Sequence, residues 1–134
     1  LNIGDEVLVK QAEPVNIRRG DVIVFRNQDK LETHRVIRVF SKDTTAFLQK
    51  GDNVRIGGVV QESQLVGRVS AVKKGDRIIQ FNSLTGKTIN GCLTFFAVPI
   101  YYLAQRNSTA AKMVLSALNK MKKVFLYGLK KWVF

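Results

Sequence analysis

Gly20-Asp21-Val22-Ile23-Val24-Phe25, followed by Thr33-His34-Arg35-Val36-Ile37-Arg38-Val39-Phe40, decides how this chain is read. The first run is β-branched and aromatic and is introduced by glycine, which marks a buried strand. The second follows the polar segment 27–32, so the two are expected to form a hairpin. In the second run Val36, Arg38 and Phe40 share one face and Arg35, Ile37 and Val39 the other, and neither face is purely apolar. Working outward, Glu6–Lys10 alternates polar and apolar residues, and Thr45–Gln49 is a short strand ending in the turn cluster Lys50-Gly51-Asp52-Asn53. Leu65–Val72 and Arg77–Phe81 make a further pair around Lys73-Lys74-Gly75-Asp76. Short strands with turns at close spacing predict a mainly β protein, a compact antiparallel domain over residues 1–90. Val22, Val24, Val36, Phe47 and Val66 are its expected core.

The composition changes near Asn90. Gly91–Ala104 is apolar but short, and Pro99 is expected to interrupt any helix there. Ser108 or Thr109 can cap the segment that follows. Beyond it Val114, Leu118, Met121, Phe125, Leu129 and Trp132 recur at helical spacing. Lys112, Lys120, Lys123, Lys130 and Lys131 lie opposite them, with Lys122 the exception. Residues 91–134 therefore read as an amphipathic helical accessory segment. No run reaches the roughly 18 apolar residues of a spanning helix.

The 134 residues suit one domain of ordinary size, and 46% hydrophobic content supplies a core and argues against intrinsic disorder. One cysteine, Cys92, and one histidine, His34, leave no internal disulfide and no Cys- or His-based metal motif. No metal or cofactor is expected. The net charge is +12, unevenly spread: residues 1–76 hold 13 basic and all 10 acidic side chains, residues 77–134 hold 9 basic and no acidic ones. Such asymmetry calls for an anionic surface, nucleic acid or membrane. The aromatics of the tail sit with the apolar stripe and not among the lysines, which turns the expectation away from nucleic acid. An apolar face carrying Phe and Trp, against lysines without acids, is the pattern of a helix lying in a membrane interface. The chain is thus expected to be membrane-associated, on an anionic surface.

Taken singly, His34 and Asp52 have ordinary structural readings, a strand histidine and a turn acid. Their setting is more informative. Ile3-Gly4-Asp5 precedes a strand, and Gly20–Phe25, Thr33-His34-Arg35-Val36, Lys50-Gly51-Asp52-Asn53 and Val66-Gly67-Arg68-Val69 follow in order. This succession, from Leu1 to about Val69, resembles the type I signal peptidases of the archaeal and endoplasmic-reticulum-like branch, serine proteases with a histidine base. The resemblance implies that His34 is the general base and Asp52 the acid that orients it. An imidazole titrates near neutral pH and can accept and return the proton of a serine hydroxyl. An acid beside it would complete a Ser-His-Asp arrangement. Lys50 and Asn53 are expected to shape the turn.

The family's Ser-Met-x-Pro nucleophile motif is not in this chain, and the resemblance places it just upstream of Leu1. A second aspartate that relatives carry beyond Lys-Gly-Asp has no counterpart in Val54–Gly58, which leaves Asp52 the only acid matched. The implied activity is endoproteolysis of a membrane-borne or secreted precursor, bound as an extended strand and cut beside small residues. Two alternatives stay open, a catalytically inactive peptide-binding relative and a basic nucleic-acid-binding protein.

Overall fold

A computed structural model describes residues 5–54 and 56–133, with side chains as far as Leu129. Leu1–Gly4, Arg55, Phe134 and the side chains of residues 130–133 lie outside the described set, and with them part of the first motif and the end of the expected helical stripe. The strands are β1 (Glu6–Lys10), β2 (Val22–Asn27), β3 (Lys30–Ser41), β4 (Thr45–Lys50), β5 (Gly57–Gln61), β6 (Leu65–Lys74) and β7 (Arg77–Gln80). Two helices follow, α1 (Leu84–Ala104) and α2 (Thr109–Val133). All seven strands join one antiparallel sheet in the order β1-β6-β2-β3-β4-β5, with β7 also paired to β6. The architecture is the expected one, a β-rich domain followed by an amphipathic helical segment.

The β2–β3 hairpin is the centre of the sheet. β2 is buried from Val22 to Phe25 because both of its faces are covered. On one face Ile23 and Phe25 join Ile17, Val36, Phe47 and Val60 in an apolar cluster. On the other, Val22 and Val24 pack with Val69 and Val72. Each such side chain contributes roughly 1.5–3 kcal/mol on burial. The mixed faces of Thr33–Phe40 are explained by a bulge in the β3–β4 ladder between Val36 and Arg38. It brings Val39 to the Val36 side, while Ile37 faces Leu48 and the α1 residue Ala97.

Two expectations are corrected, and one strand is added to them. Val66 is 40% exposed, because Gly67, Val69 and Ala71 carry the inward side of β6. β5, beginning Gly57-Gly58, is a full strand in spite of its glycines, held by five ladder pairs to β4. Pro99 does not interrupt the helix: α1 runs through it. Proline removes one backbone bond, to the carbonyl of Phe95, and Phe95 is on the exposed side of the helix. Phe96, Ala97 and Ile100, on the other side, are buried and hold the helix together across the defect. α1 also starts earlier than the composition change suggests. Ser83 caps it by accepting from the Gly86 amide at 3.0 Å.

The α1–α2 pair closes on Phe96, Ile100 and Leu115, with Leu118 and Phe125 packed against them. Ser108 caps α2, accepting from the Ala111 amide at 3.2 Å. The buried stripe of α2 is therefore Ala111, Leu115, Leu118 and Phe125, rotated from the expected one. Val114 and Met121, expected on the same apolar face, are exposed along with Met113, Val124 and Tyr127.

Candidate functional site

His34 and Arg35 are successive residues of β3, so their side chains leave opposite faces of the sheet. That single fact organises the site.

His34 faces the side of Phe25, with ring centroids 5.6 Å apart. Its Nδ1 lies 2.5 Å from Oε1 of Gln49, a buried residue of β4. An amide oxygen only accepts, so Nδ1 carries the proton and Nε2 is left with its lone pair. The Glu32 carboxylate stands further off, 3.9 Å from Nδ1. Nε2 faces Gly51: a Cβ built there would stand 3.1 Å from it. The side chain is 25% exposed, so solvent or a substrate can reach it. A polar tether on one ring nitrogen of a partly exposed histidine is an arrangement a general base uses.

Arg35 goes the other way and is 2% exposed. Its Nε and Nη2 donate to the two carboxylate oxygens of Asp52, at 2.8 and 2.9 Å. Its Nη1 donates to the Gly20 carbonyl at 2.9 Å, and to Asn90 and Thr94 of α1. Asn90 also donates to the Gly20 carbonyl, at 3.1 Å. Gly20 has φ +94°, and a Cβ there would meet Thr94 Oγ1 at 2.9 Å, so the turn before β2 needs glycine twice over. The Gly20-Asp21 motif thus pins α1 to the sheet.

The Asp52 turn is held from the helix side as well, because Lys122 of α2 donates to the Asp52 carbonyl. Burial alone would raise the Asp52 carboxyl. The hydrogen bonds and charge of Arg35, helped by Lys122, outweigh it and hold the group below its ordinary 3.8. Lys50, paired with Arg35 in the ladder and 1% exposed, donates to the Gly51 carbonyl at 3.0 Å. Burial first, then repulsion from Lys122, lowers its ammonium to about 8.

The structure accordingly brings His34 to Gln49 and Asp52 to Arg35. Both oxygens of Asp52 are engaged on the helix side of β3, and the acceptor at His34 Nδ1 is an amide. Gln49 is the residue that sequence reading missed. Its signal was available, since strand pairing of the Thr33 run with the Thr45 run places it near His34, but an amide carries no motif. Among the described residues no cluster of His, Cys, Asp or Glu could hold a metal ion. No family model, no curated protein and no solved structure matches this chain.

Proposed function

We propose that the chain belongs to a signal-peptidase-like serine endopeptidase, with His34 as general base and the nucleophilic serine outside the 134 residues of this sequence. The observation that carries this reading is the approach of His34 Nδ1 to the Gln49 amide oxygen on a side chain that is 25% exposed, which leaves Nε2 as the nitrogen for proton transfer. In the reaction Nε2 takes the proton of the serine hydroxyl as the oxygen attacks the scissile carbonyl, and returns it to the leaving amine. Asp52 supports this indirectly, by fixing the Gly51 turn through Arg35. The precursor adds as an extended strand to the edge strand β5, whose partner β4 carries Gln49.

We place the protein on an anionic membrane surface. Supporting this are the exposed Met113, Val114, Met121, Val124 and Tyr127 of α2, on a segment with 9 basic and no acidic residues after Asp76. Among the described residues no helix is long and apolar enough to cross a membrane. The seclusion of the Asp52 carboxylate favours a second reading, a relative that binds extended peptides without cutting them.

One assay separates the two. The protein carrying its upstream residues is incubated with a precursor peptide that has small residues at the cut site. Cleavage that falls at least a hundredfold in His34→Ala, with an unchanged circular dichroism spectrum, supports the peptidase. Cleavage equal in the two proteins refutes the role of His34, and binding without cleavage establishes the second reading.

A further inference from the structure

A cleft of about 700 Å³ lies on the helix side of the sheet, between the Asp52 turn and α2. Its charge is one-sided. Lys50, Lys112, Lys120, Lys122 and Lys123 line it, and the single acid is Asp52. That acid is already spent, because both of its oxygens accept from Arg35. The ammonium groups of Lys50 and Lys122 have neutral acceptors, the carbonyls of Gly51 and Asp52. Burial makes charging both lysines costly, and repulsion from Lys122 adds to the cost at Lys50. Five cations around one concave space, with no free carboxylate, call for an anion of more than one charge.

The walls narrow its chemistry. Val54, Ile100, Leu115 and Leu126 are aliphatic, and no aromatic ring among the described residues lines the cleft. A single-stranded nucleic acid would need stacking platforms for its bases, and none is offered. The volume suits a headgroup-sized ligand. Lysine binds phosphate as a point charge that can approach from several directions.

We infer that this cleft binds a phosphate-bearing ligand, with the lysines gathered on its phosphate and the aliphatic wall beside its apolar part. The site does not depend on the peptidase reading and sits on the opposite side of the sheet from His34. The phosphate belongs either to a soluble molecule or to an anionic lipid headgroup.

The test titrates the full chain with inorganic pyrophosphate, and separately with phosphatidylglycerol and phosphatidylcholine vesicles. Two triple variants remove the same charge. Lys112→Gln/Lys120→Gln/Lys123→Gln alters exposed residues of the cleft, and Lys30→Gln/Lys42→Gln/Lys87→Gln alters exposed residues elsewhere. Neither touches a buried side chain, so both variants are expected to fold. Pyrophosphate should perturb the amide resonances of residues 50–54 and 112–126, and the cleft variant should weaken it at least tenfold against the control variant. If phosphatidylglycerol binding falls in parallel, the phosphate is a lipid headgroup; if it stays while pyrophosphate binding is lost, the ligand is soluble. Binding of phosphatidylglycerol alone, lost only in the cleft variant, also supports a headgroup site. Equal weakening in both variants, or binding of neither probe, overturns the inference.

Discussion

Asp52→Ala tests whether this aspartate is a scaffold residue or the partner of His34. The substitution leaves the Arg35 guanidinium, 2% exposed, with the Gly20 carbonyl, Asn90 and Thr94 but without a carboxylate. Removing one partner of a buried ion pair costs about 3–5 kcal/mol. The Asp52 side chain is 23% exposed, so water can partly replace it and the lower end applies, about 3 kcal/mol. That is roughly two powers of ten in the folded-to-unfolded ratio and about 10 °C in melting temperature. Urea unfolding of the wild type, Asp52→Ala, Arg35→Met and the double variant gives the coupling directly. The double variant should recover most of the loss, because it removes the stranded charge. His34→Ala, a half-buried site whose nearest partner is the neutral Gln49 amide, should cost about 1 kcal/mol. An Asp52→Ala cost below about 1 kcal/mol, or a coupling near zero, would refute the assignment of Asp52 to Arg35.

Other outcomes can be checked on the same protein. Because its partners hold Asp52 below 3.8, its stabilising contribution is full above that value and is lost as pH falls through the lower folded value; acid titration of stability should be flatter in Asp52→Asn. Lys50 behaves oppositely. Its folded value of about 8 lies below 10.5, so the unfolded chain binds more protons between them and stability rises with pH across that window. Lys50→Met, which removes a penalty of about 3 kcal/mol and one hydrogen bond to Gly51 worth about 1 kcal/mol, should be the more stable protein at pH 7 and lose its advantage above about pH 10.5. Gly20→Ala should destabilise by at least about 2 kcal/mol from positive φ and the Thr94 contact, and a Thr94→Ser partner substitution should recover little, since Oγ1 is the nearest atom. With one histidine in the chain, long-range nitrogen NMR reads the His34 tautomer without overlap; proton on Nδ1 is expected, shifting toward Nε2 in Gln49→Leu.

The sheet was legible wherever side-chain patterning is strong. Asp21–Phe25 and Thr33–Phe40 read as strands because β-branched runs admit few other conformations. β5 escaped because Gly57-Gly58 gives no pattern; its strand conformation comes from the ladder to β4, a tertiary fact. Pro99 was misread for a related reason. Local cost argued for a break, and packing of Phe96, Ala97 and Ile100 overrode it. On α2, periodicity gave a broad apolar arc that included both Val114 and Phe125. Only the position of α1 decides which part is buried, and it chose the arc with Leu115 and Leu118. The site followed the same rule. His34 and Asp52 stand out in sequence, but the alternation of β3 sends His34 and Arg35 apart, and Arg35 takes Asp52 with it.

That alternation has a functional consequence. An acid shared between His34 and the helical segment would couple proton transfer to the docking of α1 and α2. Here the two tasks are divided. The face of His34 contains Gln49, a neutral amide within hydrogen-bond distance of Nδ1, with the Glu32 carboxylate further off at 3.9 Å. The face of Arg35 contains Asp52, Lys50 and Lys122, together with Asn90 and Thr94 that fasten α1. Salt, pH or a bound anion acting on the lysines can therefore alter how α2 sits on the Asp52 turn. One contact between the two faces is at Gly51, which Nε2 faces. A side chain at position 51 would crowd His34 Nε2 and Val54 at once, so the bare turn is where the two faces communicate. Gly51→Ala should displace the His34 ring, and with it the NMR signature of Nε2, while leaving the Arg35–Asp52 pair to hold the rest of the turn in place.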